Sequence, residues 1–157
     1  MNGQKFFLAN EGHVVNIIPP IDVNGGKSSD VFSMENYSHA SIIIQVGVSS
    51  AAPTITLEEC DNFTPTTHTE IAFNYYSETT ASGDTLGAKA AATSSGFAIS
   101  ANDNIMYVIE VEASELSDGY PNLRISVSDG SASVIMSAVA ILSGSRYGND
   151  QSATAIV

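Results

Sequence analysis

Positive charge is scarce in this sequence, whose 157 residues include five Lys and Arg but seventeen Asp and Glu, for a formal net charge of −12 at pH 7. A surface with such an excess of carboxylates repels phosphate groups, whereas sequence-independent binding to nucleic acids depends on Lys and Arg that neutralise phosphates. The composition therefore argues against a nucleic-acid partner, and against attachment to an anionic membrane surface for the same reason.

Cysteine, tryptophan and long apolar segments are also scarce or missing. Cys60 is the only cysteine, so no disulfide can form within the chain, which is typical of a reducing compartment. No run approaches the roughly 18 apolar residues of a membrane span. The apolar run FFLA near the N-terminus is shorter than the core of a signal peptide. We therefore expect a protein that is made in the cytoplasm of its producer and has no membrane partner.

Recognisable catalytic and cofactor motifs are absent as well. GxGxxG, GxxxxGK[ST], HExxH, CxxC and GxSxG occur nowhere in the sequence. The three histidines, His13, His39 and His68, are far apart, and each lies at or near the start of a predicted strand. Folding could bring them together at a metal ion, but isolated histidines are commoner. We predict neither a metal nor a cofactor.

Two other groups of reactive side chains suggest catalysis only weakly. Cys60 and His68 could form a nucleophile and its base across a hairpin. The acidic residues within 58–61 and 110–112 could supply the two carboxylates of a glycosidase. A small buried thiol and a solvated strand face are the commoner interpretations of these two patterns. We therefore predict that the protein is not an enzyme.

Apolar residues recur at every second position through most of the chain, which indicates β-strands. The last of these segments is apolar on both faces, so we expect it to be central or covered on both sides. Val48 falls on the predicted buried face of its strand, and the turn at 49–53 predicts a hairpin with the strand that follows. The predicted strands are HVVNII (13–18), VFSM (31–34), HASIIIQVGV (39–48), TITLEEC (54–60), TEIAFNYY (69–76), GFAIS (96–100), IMYVIEVEA (105–113), LRISVS (123–128) and SVIMSAVAIL (133–142).

About eight strands and little helical periodicity predict an all-β fold, namely a single-domain antiparallel β-sandwich of jelly-roll type with extended termini. The predicted parts are an N-terminal arm (1–12), the sandwich domain (13–147) and a C-terminal tail (148–157). One helical turn is expected in ASELSDG (113–119), with Ser114 as its cap and Gly119 in the left-handed conformation. The segment 77–95 has no strand pattern, and within it only KAAATSS favours a short helix.

Five segments in order, most of them within the predicted strands, resemble those of small tailed-bacteriophage head decoration proteins, also called auxiliary or cement capsid proteins. The resemblance spans about three fifths of the chain, and its most specific parts are the acidic turn before GYPNLRIS and the closing ILSGSRY. The segments are ITLEEC (55–60), EIAFNYY (70–76), DNxxYVIEV (103–111), ASELSDGYPNLRISVS (113–128) and AVAILSGSRY (138–147).

The resemblance implies a structural role. Decoration proteins bind the outer surface of an expanded phage head, commonly as trimers, and clamp neighbouring major capsid subunits. The expected partners are therefore the major capsid protein and two further copies of this chain. The expected location is the outer capsid surface of the virion, after synthesis in the host cytoplasm. A net charge of −12 is compatible with a position away from the packaged DNA.

Contacts with the capsid or between subunits are expected from residues that the core does not need. The candidates are Ile135, Val139 and Ile141 on one face of the last strand, Arg146 and Tyr147 after it, and Asp84 and Lys89 in the segment 77–95. Two alternatives stay open at this point. One is another virion component, such as a tail or head-fibre protein. The other is a carbohydrate-binding module, which the sandwich pattern and the aromatic pair Tyr75 and Tyr76 suggest.

Overall fold

Alternating burial along the strands follows the alternation of apolar residues, as the period of two requires. The computed structural model describes residues 6–146. Twelve strands lie in this range, and four of them have only two or three residues. The strands are β1 (His13–Asp22), β2 (Lys27–Ser28), β3 (Phe32–Ser33), β4 (Tyr37–Ser49), β5 (Thr54–Cys60), β6 (His68–Ile71), β7 (Phe73–Ser77), β8 (Ala90–Ala92), β9 (Phe97–Ala98), β10 (Met106–Glu112), β11 (Asn122–Val127) and β12 (Val134–Ser145).

The strands form two antiparallel sheets that face each other across one core. The first sheet has the order β1-β12-β4-β10-β7-β8, and the second has the order β2-β11-β5-β6, with β3 on β11 and β9 on β5. When β2 and β3 count as one strand and β7 to β9 as additions, the orders become 1-8-3-6 and 2-7-4-5. These are the orders of a jelly roll. The predicted all-β sandwich is confirmed.

The core lies between the sheets and is built from the inward positions of the long strands. β4 contributes Ile42 and Ile44 and β10 contributes Ile109, and all three are fully buried. From the opposite sheet, Leu57 and Ile125 meet them. Burying one such side chain stabilises the fold by roughly 1.5–3 kcal/mol, so this layer holds the sheets together.

Short helices lie at two edges of the sandwich. α1 (Leu8–Glu11) precedes β1 within the predicted arm 1–12, and a 3₁₀ turn (Ala113–Glu115) follows β10. The turn is where the sequence predicts one, and Gly119 is left-handed as expected, with φ of 86°. The cap differs, because Glu112 occupies the N-cap position and exchanges hydrogen bonds with Glu115, so Ser114 lies inside the turn. No helix within 6–146 has the length and apolarity that a membrane span needs.

Two predictions about strand pairing and one about a helix are wrong, and the two pairing errors have the same origin. The segments 39–48 and 54–60 do not pair as a hairpin, because β4 and β5 belong to opposite sheets. TEIAFNYY is not one strand, because the chain passes from β6 in the second sheet to β7 in the first. The alanine-rich part of 77–95 is not helical, because Ala90–Ala92 pairs with β7. The alternation of apolar residues shows which side of a strand faces the core. It does not show whether two strands belong to the same sheet or to opposite sheets, because the pattern is the same in both cases.

Val48 and β12 also differ from expectation. Val48 is 59% exposed, because a bulge between β4 and β12 turns Ser49 to the core in its place. β12 is central in its sheet but is not covered on both sides: Ile135 is 38% exposed, while Val134 and Met136 beside it are buried. β12 therefore carries apolar residues on both faces, as predicted, but only those on the inner face contribute to the core.

Candidate functional site

The outer face of the six-stranded sheet is the side that points away from the core, and an apolar row crosses it. Val139 of β12 lies opposite Ile43 of β4, Ile43 lies opposite Val108 of β10, and Val108 lies opposite Tyr76 of β7. All four side chains are partly exposed. Three strand spacings separate the ends of this apolar row, which makes it about 14 Å wide. The outer face of an antiparallel sheet is normally polar, so a row of this kind is unusual.

A second apolar area adjoins the apolar row at the β1 edge. Val14 of β1 lies opposite Ile141 of β12, and Val14 is clearly exposed. Gly12 lets Leu8 and Ile141 approach each other closely, because a Cβ at this position would come within 3.2 Å of both Leu8 Cδ1 and Ile141 Cγ2. Leu8 in α1 is exposed as well. The short helix therefore extends the apolar part of the outer face beyond the sheet.

A groove of about 500 Å³ lies at the far end of the outer face. Gln45, Met106 and Ser137 form part of its lining from three adjacent strands, and Ile135 and Glu78 lie beside them. The Glu78 carboxylate accepts a hydrogen bond from the Met106 backbone N–H at 2.8 Å, which fixes one wall of the groove to β10. The outer face thus has an apolar centre and a mixed polar end.

A hydrogen-bonded acidic cluster, defined here as Glu110, Glu112, His39 and Ser41, closes the opposite end. His39 Nε2 lies 2.6 Å from Glu110 Oε2, and His39 Nδ1 lies 2.8 Å from Glu112 Oε1. The Ser41 hydroxyl donates to Glu110 Oε2 at 2.6 Å. Only an imidazolium can donate from both ring nitrogens at once, so this geometry fits protonated His39 and two carboxylates.

The electrostatics of the acidic cluster favour that charge state. Desolvation by partial burial lowers the pKa of His39, but hydrogen bonds and charge from Glu110 and Glu112 together outweigh it. The pKa of His39 is therefore raised above its usual 6.5. Even with a protonated histidine, two carboxylates leave the acidic cluster with a net charge of −1.

On the second sheet, an ion pair occupies the outer side of β5 and β11. Arg124 Nε donates to Glu58 Oε2, and His68 Nδ1 lies 3.3 Å from the same oxygen. The Glu58 side chain is only 6% exposed. A carboxylate buried to this degree needs its partners, so Glu58 and Arg124 have a structural role in joining the two strands.

The residues considered for catalysis have other contacts in the structure. Cys60 lies opposite His68, but burial raises the pKa of its thiol to about 11, so at neutral pH it is not the thiolate that nucleophilic attack requires. Glu59 accepts a hydrogen bond from the Ser117 backbone N–H at 2.8 Å. The Asp61 carboxylate accepts a hydrogen bond from the Thr66 hydroxyl at 2.6 Å. Within residues 6–146, no group of three or more His, Cys, Asp or Glu is arranged to hold a metal ion.

The predicted contact residues lie in separate places. Ile135, Val139 and Ile141 share the outer face, as their spacing predicts. Arg146 lies beside the turn at 117–121, with its backbone N–H bound to the Asn36 carbonyl at 2.9 Å. Eleven residues separate it from Ile135 along β12, which amounts to roughly 37 Å, so the two cannot touch one small site.

The remaining predicted contact residues belong to the segment 77–95 or lie outside the described range. Asp84 is exposed and accepts a hydrogen bond from the Thr85 hydroxyl at 2.9 Å. It follows Gly83, which lines the groove. Lys89 is exposed just before β8. Tyr147 and the predicted tail 148–157 lie outside the described residues.

Sequence reasoning missed Ile43 and Val108 in the middle of the apolar row. It interpreted Glu110 and Glu112 as a solvated strand face without connecting them to His39. The signal of the apolar row was present, because Ile43 and Val108 stand at positions of their strands where a solvated face requires polar residues. Only the register of β4 against β10 brings these two together, and the same register brings His39 to its carboxylate partners. Sequence alone does not give that register.

Comparison with known proteins gives similarity only at the level of solved structures. No family model matches the sequence, and no curated protein matches it either. Among solved structures, the chain is similar to the SPBc2 prophage-derived protein YomS, with a TM-score of 0.45 and 11% sequence identity. The similarity covers 83% of this chain and 94% of the YomS chain.

Proposed function

We propose that this protein is a non-enzymatic virion structural protein that binds the outer surface of a phage capsid and clamps neighbouring major capsid subunits. The observation that carries the proposal is the apolar row on the outer face. Single exposed apolar residues are normal on a soluble protein, whereas contiguous apolar patches larger than a few hundred Å² mark interaction sites. The segments that resemble head decoration proteins specify which kind of partner to expect.

The proposed mechanism is multivalent attachment. Three copies acting as a homotrimer would each contact the capsid lattice weakly, and the fixed spacing of the lattice would combine these contacts into strong binding. A rigid sandwich suits this role, because a flat sheet face presents its side chains without ordering a loop on binding. The net charge of −12 favours the outside of a particle whose interior is filled with DNA.

Co-sedimentation with undecorated heads tests the proposal. The wild-type protein is expected to pellet with the heads. Ile135→Lys should reduce the pelleted fraction strongly, because it places a charge on the outer face. Phe63→Lys is the matched control, since Phe63 has the same exposed fraction of 38% but lies in the loop after β5 of the other sheet. A wild-type protein that stays in the supernatant would refute the proposal.

Two alternatives are outcomes of further experiments. Electron microscopy that places the protein on the tail or on head fibres would make it another virion component. A carbohydrate-binding role has little support, because Tyr75 is stacked against Phe97, with ring centroids 4.0 Å apart, and so is not offered to a sugar. Tyr76 alone faces outward, and a glycan array with no hits would remove this alternative.

A further inference from the structure

We propose that the partner of the outer face is a protein surface with an apolar strip flanked by Lys or Arg, and that the basic side chain binds at the acidic cluster. This inference rests on the proposed function, because it specifies the chemistry of the partner that the outer face takes. It also assigns Ile135, Val139 and Ile141 to that partner rather than to contacts between identical subunits.

The first support is that the apolar row and the acidic cluster form one continuous surface. Glu110 follows Val108 by two residues on the same face of β10, and Ser41 precedes Ile43 by two residues on β4. Residues two apart on a strand are separated by about 7 Å, so a single partner strand that covers the apolar row also reaches the acidic cluster. An apolar centre with a charged rim is the usual composition of a protein–protein interface.

The second support is the sign of the charge. None of the six strands of this sheet contains Lys or Arg, whereas Glu110 and Glu112 lie on its outer face and Glu78 directly follows β7. Among the described residues within these six strands, His39 is the cationic group on the outer face, and both of its ring nitrogens are already bound. Lys89 lies outside the strands, just before β8 at the edge of the sheet. A partner with basic residues at the rim is therefore complementary to this surface.

A second copy of this chain fits the outer face poorly. In a twofold face-to-face pair, each copy would bring Glu110 and Glu112 to the interface and no Lys or Arg from the strands of this sheet. Like charges placed opposite each other weaken an interface.

The acidic cluster is also preorganised for binding a basic side chain of the partner. Glu110 accepts from Ser41, and the backbone N–H of Glu112 donates to Glu115 Oε2 at 2.8 Å, so neither strand position needs to move. His39 faces Glu110 and Glu112 from β4. Among the described residues nearby, Glu115 lies in the 3₁₀ turn, His13 is in β1, and Arg146 follows β12. A guanidinium or ammonium of the partner would bind these carboxylates by charge-assisted hydrogen bonds.

An NMR titration of the full chain with two synthetic peptides tests this inference without capsids. One probe is an acetylated and amidated hexapeptide of alternating Val and Lys, and the control probe alternates Val and Glu. The Val–Lys peptide should shift the amide signals of Ile43, Val108 and Glu110 and bind at least ~10-fold more tightly than the Val–Glu peptide. Equal affinity for the two peptides, or no shifts on the outer face, would overturn the inference.

Two variants locate the effect. Glu110→Gln with Glu112→Gln should remove most of the preference for the basic peptide, because it removes the carboxylates and keeps side chains of similar shape. Glu70→Gln is the control, since Glu70 is an exposed acid on β6 of the other sheet, and it should leave the preference unchanged. A preference that survives the double substitution would place the charged contact elsewhere and contradict the assignment.

Head binding and peptide binding separate the two proposals. Heads that bind the wild-type protein while the peptides are not discriminated would leave the proposed function standing and remove this inference. Discrimination of the peptides without any binding to heads would do the reverse. Light scattering that shows dimers or trimers of the wild type, dissociated by Val139→Lys, would assign the outer face to a second copy and also overturn the inference.

Discussion

Arg124→Met should destabilise the protein far more than removal of both charges of the Glu58–Arg124 pair. The Glu58 side chain is 6% exposed, so the substitution leaves a carboxylate in a site that water hardly reaches. Removing one partner of a buried ion pair costs about 3–5 kcal/mol. We expect a value near the lower end, because His68 stays 3.3 Å from the carboxylate and can replace part of the lost contact.

The double variant Arg124→Met with Glu58→Leu provides the comparison. It removes both charges and fills the same space with apolar groups, so it should lose less than about 1 kcal/mol or gain stability. Urea unfolding, followed by circular dichroism at one protein concentration, measures the difference. With a slope of about 2 kcal/mol per M, the single variant should shift the midpoint by roughly 1.5 M or more.

The result that would refute this reasoning is a single variant that loses less than about 1 kcal/mol, because Glu58 would then be hydrated in solution. A double variant that is as unstable as the single one would also refute it, because the cost would then come from lost packing of the long Arg124 side chain. The slope of the unfolding free energy against urea concentration serves as the control. An unchanged slope shows that unfolding exposes the same amount of surface in each variant.

Three further predictions follow from single sites. The hydrogen bonds of His39 to its two carboxylates raise the pKa of its side chain above 6.5 in the folded protein. These bonds should stabilise the fold by about 1 kcal/mol below pH 6.5, and this stabilisation should be lost as the pH rises through the pKa of the folded state. The difference in the free energy of unfolding between wild type and His39→Gln should therefore shrink from pH 6 to pH 9. A difference that stays constant would contradict this prediction. Gly96→Ala should lower the melting temperature severely, because its Cβ would lie 2.0 Å from the Ile55 carbonyl oxygen. Gly25 is also left-handed but lies in open space, so Gly25→Ala should cost only about 1–2 kcal/mol. Cys60, with a buried thiol whose pKa is about 11, should react with a disulfide reagent at pH 7.5 only after denaturant is added, and rapid reaction of the native protein would show that the thiol is accessible.

The faces of the strands were predictable from sequence, whereas their partners were not. Ile42 and Ile44 are buried as alternation predicts, because each strand must bury one side whichever sheet it joins. The assignment of β4 and β5 to opposite sheets depends on long-range pairings with β12 and β11, for which alternation carries no information. The bulge that exposes Val48 is different, because it falls at Gly47–Val48 of β4 and an isolated glycine inside a strand pattern is a local signal of a bulge.

The candidate site was predictable only in part, for a related physical reason. Ile135, Val139 and Ile141 lie on a single strand, so their common face follows from the period of two. The apolar row takes one residue from each of four strands, and His39 meets its carboxylates across a strand boundary. Surfaces of this kind are set by register, which the core and the turns determine together.

The two faces of β12 separate what the fold requires from what it does not. On the inner face, Ala138 and Ala140 are fully buried, and their small size lets the second sheet approach. On the outer face, Val139 and Ile141 add no burial to that core, and threonine would suit an exposed strand position equally well. The continuation of the apolar character onto neighbouring strands, at Ile43 and Val108, makes a chance origin hard to maintain. Folding alone does not account for these side chains, whereas the proposed association with another protein surface would account for them.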